Sequence, residues 1–132
     1  MDQGGSLINI IINTDSNEPI YEQIENQIKK KIIDNELQTG DSLPSMRSLA
    51  RNLKVAVITV QRAYEDLQKE GFIETVHGKG SFVSARNVEL FKEENYAEIE
   101  ELAKKMIKIS KTSSLSLDNL INLIKNIYEE DI

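Results

Sequence analysis

The sequence predicts an α+β, mostly helical chain, with three helices closed by a β-hairpin and then a two-helix tail. Three observations carry this. Apolar residues recur at helical spacing, as isoleucine at 20, 24, 28 and 32 and then as Val60, Ala63, Tyr64 and Leu67. Two short alternating runs, 73–76 and 81–84, flank His77-Gly78-Lys79-Gly80, a composition suited to a hairpin tip. Beyond residue 88, two further apolar stripes are separated by the polar stretch Thr112 to Ser116.

The elements follow in order. Residues 1–16 read as an extended arm with a short strand, Ile8 to Ile12. A first helix is predicted from Pro19 to about Asn35, with Ser16 or Asn17 as cap and Pro19 in the first turn. Glu18, Glu22 and Glu25 near its start and Lys29, Lys30 and Lys31 near its end have the polarity that the helix dipole favours. After the turn Thr39-Gly40-Asp41, Ser45 is placed to cap a short helix through Leu53, with Leu49, Ala50 and Leu53 inward. The tight connection Lys54-Val55-Ala56 leads to a third helix, Val57 to Glu70, which Gly71 stops. The hairpin comes next, and the three helices with it make a winged helix-turn-helix spanning residues 17–85. Residues 86–132 form the tail. One helix runs from about Glu89 to Lys111, with Ile99, Leu102, Ala103, Met106 and Ile109 inward, and another from Leu117 to Glu130.

The 132 residues suffice for one small domain and an oligomerising appendage. Cysteine is absent, which excludes disulfides and thiolate metal sites. The N-terminus lacks a basic region ahead of its short apolar run, and no run approaches the roughly 20 apolar residues of a membrane span. A cytoplasmic protein is expected. With one histidine, no nucleophile–base pair and no metal-ligand spacing, no enzyme activity and no cofactor or metal are expected.

Charge is distributed unevenly. The net charge is −6, yet no acidic residue lies between Asp41 and Glu65, a stretch holding Arg47, Arg51, Lys54 and Arg62. A second gap, from Glu74 to Glu89, holds Lys79 and Arg86. A polyanion responds to the field within about a Debye length, roughly 8–10 Å, rather than to the distant total. The two acid-free segments are therefore the surfaces suited to nucleic acid.

The residues inside these segments resemble a known family. Pro19-Ile20-Tyr21 with Gln23-Ile24, then Leu43-Pro44-Ser45, Arg47, Leu49-Ala50, Leu53 and Val55, then Thr59-Val60, Arg62-Ala63-Tyr64, Leu67, Gly71 and Gly78-Lys79-Gly80-Ser81-Phe82-Val83 are similar, in order and spacing, to the GntR family of bacterial transcription regulators. The resemblance covers residues 19–83, and the short two-helix tail resembles the YtrA-type subgroup. It implies that Ser45 and Arg47 stand at the DNA end of the second helix. It further implies that Ala56, Val57, Ile58, Thr59 and Gln61 face the major groove and that His77, Gly78 and Lys79 reach the minor groove or its phosphates. Arg62 is open between a phosphate contact and an ion pair with Asp66 four residues on.

Some positions depart from the family pattern. Ala56 stands where many members carry a capping Ser or Thr, and Val57 and Gln61 stand where some carry arginine. Arginine reads guanine, whereas glutamine favours adenine and valine offers only an apolar contact, so A·T-rich half-sites are expected. Asn35 replaces a glycine that often ends the first helix, and asparagine tolerates the left-handed conformation.

The tail stripes, Ile99, Leu102 and Met106 with Leu117, Leu120, Ile121, Ile124 and Tyr128, are expected to form a homodimer interface. Taken together, the sequence predicts a homodimeric repressor that occupies a palindromic operator in double-stranded DNA, with a transporter-type operon implied by the subgroup. The alternative is a winged-helix protein-interaction module without sequence-specific DNA reading, which the acidic total favours. No residue names a small-molecule effector; a pocket between tail and DNA-binding domain is the place left for one.

Overall fold

The computed structural model describes residues 8–130. The chain divides into two compact units, the first ending at Val88 and the second beginning at Glu89.

The first unit holds three helices, α1 (Ile20–Ile33), α2 (Met46–Leu53) and α3 (Val57–Lys69), and two strands, β1 (Ile73–Val76) and β2 (Gly80–Val83). The isoleucine stripe of α1 packs on α3, with Ile24, Ile28 and Ile32 buried against a helix whose inner face is Val60, Ala63, Tyr64 and Leu67. α2 packs on α3 through Leu49 and Ala50. Each apolar stripe predicted for the first unit is thus a packing face.

The helix ends are built by identifiable groups. Ser45 caps α2, its Oγ accepting from the Ser48 N–H at 3.1 Å. Lys54 closes α2 in the left-handed region at φ 60°, making the tight turn into α3. α3 ends in a Schellman motif: Gly71, at φ 86°, donates to the Gln68 carbonyl, and Phe72 donates to that of Leu67 at 2.9 Å. A Cβ at Gly71 would lie 2.5 Å from Asn87 Nδ2, so glycine is required there on two counts. Asn35 takes the left-handed conformation at φ 65°, as its side chain allows, and ends α1 two residues earlier than expected.

Two expectations at the N-terminus are corrected. Neither Ser16 nor Asn17 caps α1; Pro19 holds the N-cap position, with no side-chain cap. Ser16 instead accepts from the Glu18 N–H at 3.0 Å, closing a turn upstream of the helix. Residues 8–12 form no strand, because their neighbour is a helix with no free backbone groups along its flank. The arm's backbone pairs with side-chain amides instead. Gln27 accepts from the Ile11 N–H (2.9 Å) and donates to the Ile11 carbonyl (2.7 Å). Gln23 does the same for Asn13, at 2.8 and 3.0 Å. One helical turn apart, the two glutamines match alternate residues of an extended chain, and Ile8 and Ile10 are buried.

β1 and β2 pair antiparallel, Ile73 opposite Val83 and Val76 opposite Gly80, so the second strand begins one residue earlier than predicted. The segment before α2 adds a third, short edge. Leu43 donates to the Ser81 carbonyl (2.9 Å) and Val83 to that of Asp41 (2.8 Å), which ties the wing to the start of α2.

A cluster of charged groups sits between α1 and α3. Glu25 is 7% exposed and its Oε2 has no hydrogen-bond partner. Burial pushes its carboxyl up to about 8, and Asp66 of α3 adds to this, both by accepting a hydrogen bond from the protonated acid and by its charge. Lys29 opposes the shift and Glu70 reinforces it. Lys29 pairs with Glu70 at 2.6 Å, and the Arg62 guanidinium lies 3.8 Å above the Tyr21 ring and 3.9 Å from Asp66.

The second unit is a helical pair, α4 (Val88–Thr112) and α5 (Leu117–Glu130). Ser116 caps α5 through the Asn119 N–H at 3.1 Å, and Ser110 Oγ donates to the Leu115 carbonyl across the turn. Leu120 is buried and Met106 and Ala103 are half-buried. Ile99, Leu102 and Ile109, expected inward, are exposed, as are Leu117, Ile121, Ile124 and Tyr128. Two helices have one mutual seam, and these stripes are wider than that seam.

Candidate nucleic-acid interface

The predicted reading residues stand on three elements of the first unit. α3 starts at an Ala56 N-cap with φ −69° and ψ 145° and no side-chain hydrogen bond. The methyl side chain offers no acceptor, so the first-turn amides have no side-chain cap. The following residues project outward, Val57 43% and Ile58 71% exposed, although both are aliphatic. Thr59 is half-buried and Gln61 exposed.

α2 contributes Ser45 and Arg47, both exposed. The wing contributes His77, Gly78 and Lys79, also exposed, with Gly78 at φ 78° in a turn closed by the Lys79 N–H to the Val76 carbonyl at 2.9 Å. Arg47 and Lys79 line one open groove of about 610 Å³ between the start of α2 and the wing. Among the described residues no carboxylate pairs with either cation, whereas Lys29, Lys30 and Lys31 on α1 all have acidic partners. The lysine run is a set of ion pairs, and the groove carries unneutralised charge.

Tyr64 holds this geometry. Its hydroxyl donates to the Pro44 carbonyl at 2.7 Å, so the buried face of the third helix grips the residue next to Ser45. Burial pushes the Tyr64 phenol well above its ordinary range, keeping it a donor. Arg62, open in the sequence, takes the ion-pair arrangement with Asp66 and stacks on Tyr21. Tyr21 matched the family pattern, but nothing local to it signalled this stacking, because α1 and α3 meet only in the fold.

Sequence reasoning also missed groove-lining residues, among them Ser42, Thr75 and Phe82. The Thr75 and Ser81 hydroxyls share a hydrogen bond at 3.1 Å across the two strands. Their alternation with apolar residues was the available signal. A further contact joins the Gln61 amide to Glu65, Nε2 donating to Oε2 at 3.2 Å.

Among the described residues no group of His, Cys, Asp and Glu is placed to hold a metal, and no helix is long and apolar enough to cross a membrane.

Residues 20–83 match the family described as bacterial regulatory proteins, gntR family. The chain is 36% identical to the HTH-type transcriptional repressor YtrA of Bacillus subtilis over 118 residues, 89% of this chain and 91% of that one. Among solved structures it is similar to a transcriptional antiterminator from Listeria monocytogenes EGD-e, with TM-score 0.70 and 31% identity, covering 93% of this chain and 92% of that one. It also matches YtrA from Sulfolobus acidocaldarius, a GntR-family transcription factor, with TM-score 0.56 and 38% identity over 69% of this chain and 97% of that one. An outward-facing helix start, two unpaired cations in one groove, a β-hairpin wing and these likenesses agree: the chain belongs to the GntR family of DNA-binding transcription regulators.

Proposed function

We propose that this regulator is a cytoplasmic homodimeric repressor that occupies a palindromic operator and controls a transporter-type operon. The observation that carries the DNA-reading part is the groove between the start of α2 and the wing, lined by Arg47 and Lys79 and by no carboxylate. Phosphates would be held there, while Val57 and Gln61 on the exposed turn of α3 face base edges. The B. subtilis relative is named a repressor, which supports the direction of control. Repression then follows from occupancy of the promoter.

The dimer part is supported by the second unit. Its exposed stripe, Ile99, Leu102, Leu117, Ile121, Ile124 and Tyr128, is more apolar surface than a monomeric helical pair ordinarily leaves in water. A two-fold pairing would set two α3 helices on half-sites one helical turn or a multiple apart.

The test begins with binding sites selected from random duplex DNA, followed by fluorescence anisotropy across a salt series. The selected sites should be palindromic and richer in A·T than G·C. Arg47→Ala and Lys79→Ala should each weaken binding and lower the salt slope by about 1. Absence of both sequence preference and salt dependence would overturn the proposal, and unchanged DNA affinity in Arg47→Ala would favour a protein-interaction module. Sedimentation should give a dimer that Leu102→Glu with Ile124→Lys dissociates; a monomeric wild type at DNA-binding concentrations refutes the dimer.

A further inference from the structure

We infer that Glu65 sets the base preference of the recognition helix by holding the Gln61 amide in one orientation, so that it reads adenine and rejects guanine. This rests on α3 being the base-reading helix.

Gln61 and Glu65 are four residues apart on α3 and share a face. Both are exposed, and Gln61 Nε2 donates to Glu65 Oε2 at 3.2 Å. A carboxylate only accepts hydrogen bonds, so the amide must turn its NH₂ group toward Glu65 and its Oε1 away. The other cations near Glu65 are occupied or do not engage it. Arg62, one turn back, is stacked on Tyr21 and paired with Asp66. Lys69, one turn on, makes no ion pair with Glu65 among the described residues. Glu65 is therefore free to hold the amide.

The consequence for base reading follows from the two hydrogens of the amide. One serves Glu65, and in the inferred arrangement it is the N–H beside Cγ. The outer edge then presents Oε1 and the remaining N–H. Adenine matches that edge in the major groove, its N6–H donating to Oε1 and its N7 accepting from the N–H. Guanine offers two acceptors, O6 and N7. Meeting both would need both amide hydrogens, one of which Glu65 holds, and in the orientation Glu65 leaves, O6 would instead face Oε1. The Glu65 charge also weakens attraction to the phosphates of any duplex, independently of sequence. Its two effects are therefore separable: one acts on affinity and the other on the ratio between bases.

The test uses duplexes selected from a random pool, with each half-site base pair changed in turn from A·T to G·C. Binding is measured by anisotropy at fixed salt for wild type, Gln61→Ala, Glu65→Ala and the double variant, with circular dichroism confirming that each is folded. A bidentate base contact discriminates by roughly 5- to 150-fold. Wild type should prefer A·T at one position by that order, and Gln61→Ala should abolish the preference there. Glu65→Ala should lower it at least about threefold while strengthening binding to both duplexes, and the double variant should show the ratio of Gln61→Ala alone. If Glu65→Ala strengthens both duplexes equally and leaves the ratio intact, its role is electrostatic and the inference is wrong. If Gln61→Ala changes no preference anywhere, the base-reading role of Gln61 has failed, a result distinct from a failure of Glu65 and one that overturns the inference with it.

Discussion

Glu25→Gln should stabilise the protein, and by an amount that depends on pH. Glu25 lies in the α1–α3 seam, 7% exposed, facing Asp66, Glu70 and Lys29. Its ordinary value is 4.5 and its folded value about 8. Between these limits the unfolded chain has released the proton that the folded chain keeps, so the unfolded state binds fewer protons and stability falls as pH rises. Each unit of this window costs up to about 1.4 kcal/mol, or about 3 kcal/mol by neutral pH if fully expressed. A glutamine is uncharged throughout and its NH₂ can donate to Asp66 as the protonated acid does. Urea denaturation followed by circular dichroism at 222 nm should therefore show the variant more stable by roughly 1–3 kcal/mol at pH 8. The two proteins should converge as pH falls below 4.5, where the glutamate becomes neutral in the unfolded state as well as the folded one. A stability difference that stays constant between pH 5 and pH 8, or that grows toward acid, would refute the reasoning.

Three further substitutions probe the groups that shape the reading surface. Tyr64→Phe removes the donor to the Pro44 carbonyl and leaves a buried acceptor unsatisfied; it should cost about 1–3 kcal/mol in urea denaturation and weaken operator binding by loosening the start of α2. Lys54→Gly relieves a side chain held at φ 60°, a conformation costing an L-residue about 1–2 kcal/mol, against about 0.5–1 kcal/mol of added chain entropy. The melting temperature should rise by a few degrees. Gly71→Ala meets both a φ of 86° and the Asn87 side chain, and should destabilise by more than about 1 kcal/mol. Adding Asn87→Ala should recover part of that loss, because it removes the clash but not the backbone strain; complete recovery would show that the conformation carries no cost.

The first unit was legible because its signals are local. An isoleucine every four residues defines a helix face without knowledge of its partner, and Ser45 two residues before Arg47 marks a helix start. Gly71 and Asn35 mark helix ends, because the left-handed conformation is a property of the residue itself. The arm was misread for the complementary reason. Ile8 to Ile12 is rich in isoleucine, as a strand would be, but an extended apolar segment does not say whether its partner is a strand or the glutamine amides of a helix. The capping role assigned to Ser16 or Asn17 failed because Pro19, extended at ψ 150°, itself holds the N-cap position, so the helix starts at Ile20, beyond the reach of their side chains.

The candidate site divides in the same way. Composition alone placed cations in two acid-free stretches, and order and spacing placed them on a helix start and a wing tip. The sequence by itself thus determined the helices, the packing faces of α1, α2 and α3, the hairpin and the two acid-free stretches, since each is set by residues within a few positions of one another, whereas Ile99, Leu102 and Ile109 of α4, expected inward, are exposed. What the tertiary structure decided was which charges remain available. It brought Tyr21 onto Arg62, gave Lys29 of α1 its partner Glu70 on α3, and left Arg47 and Lys79 together in a groove with no carboxylate paired to either among the described residues. Charge pairing depends on distances of a few ångströms between elements far apart in the chain, and only the packed fold sets them.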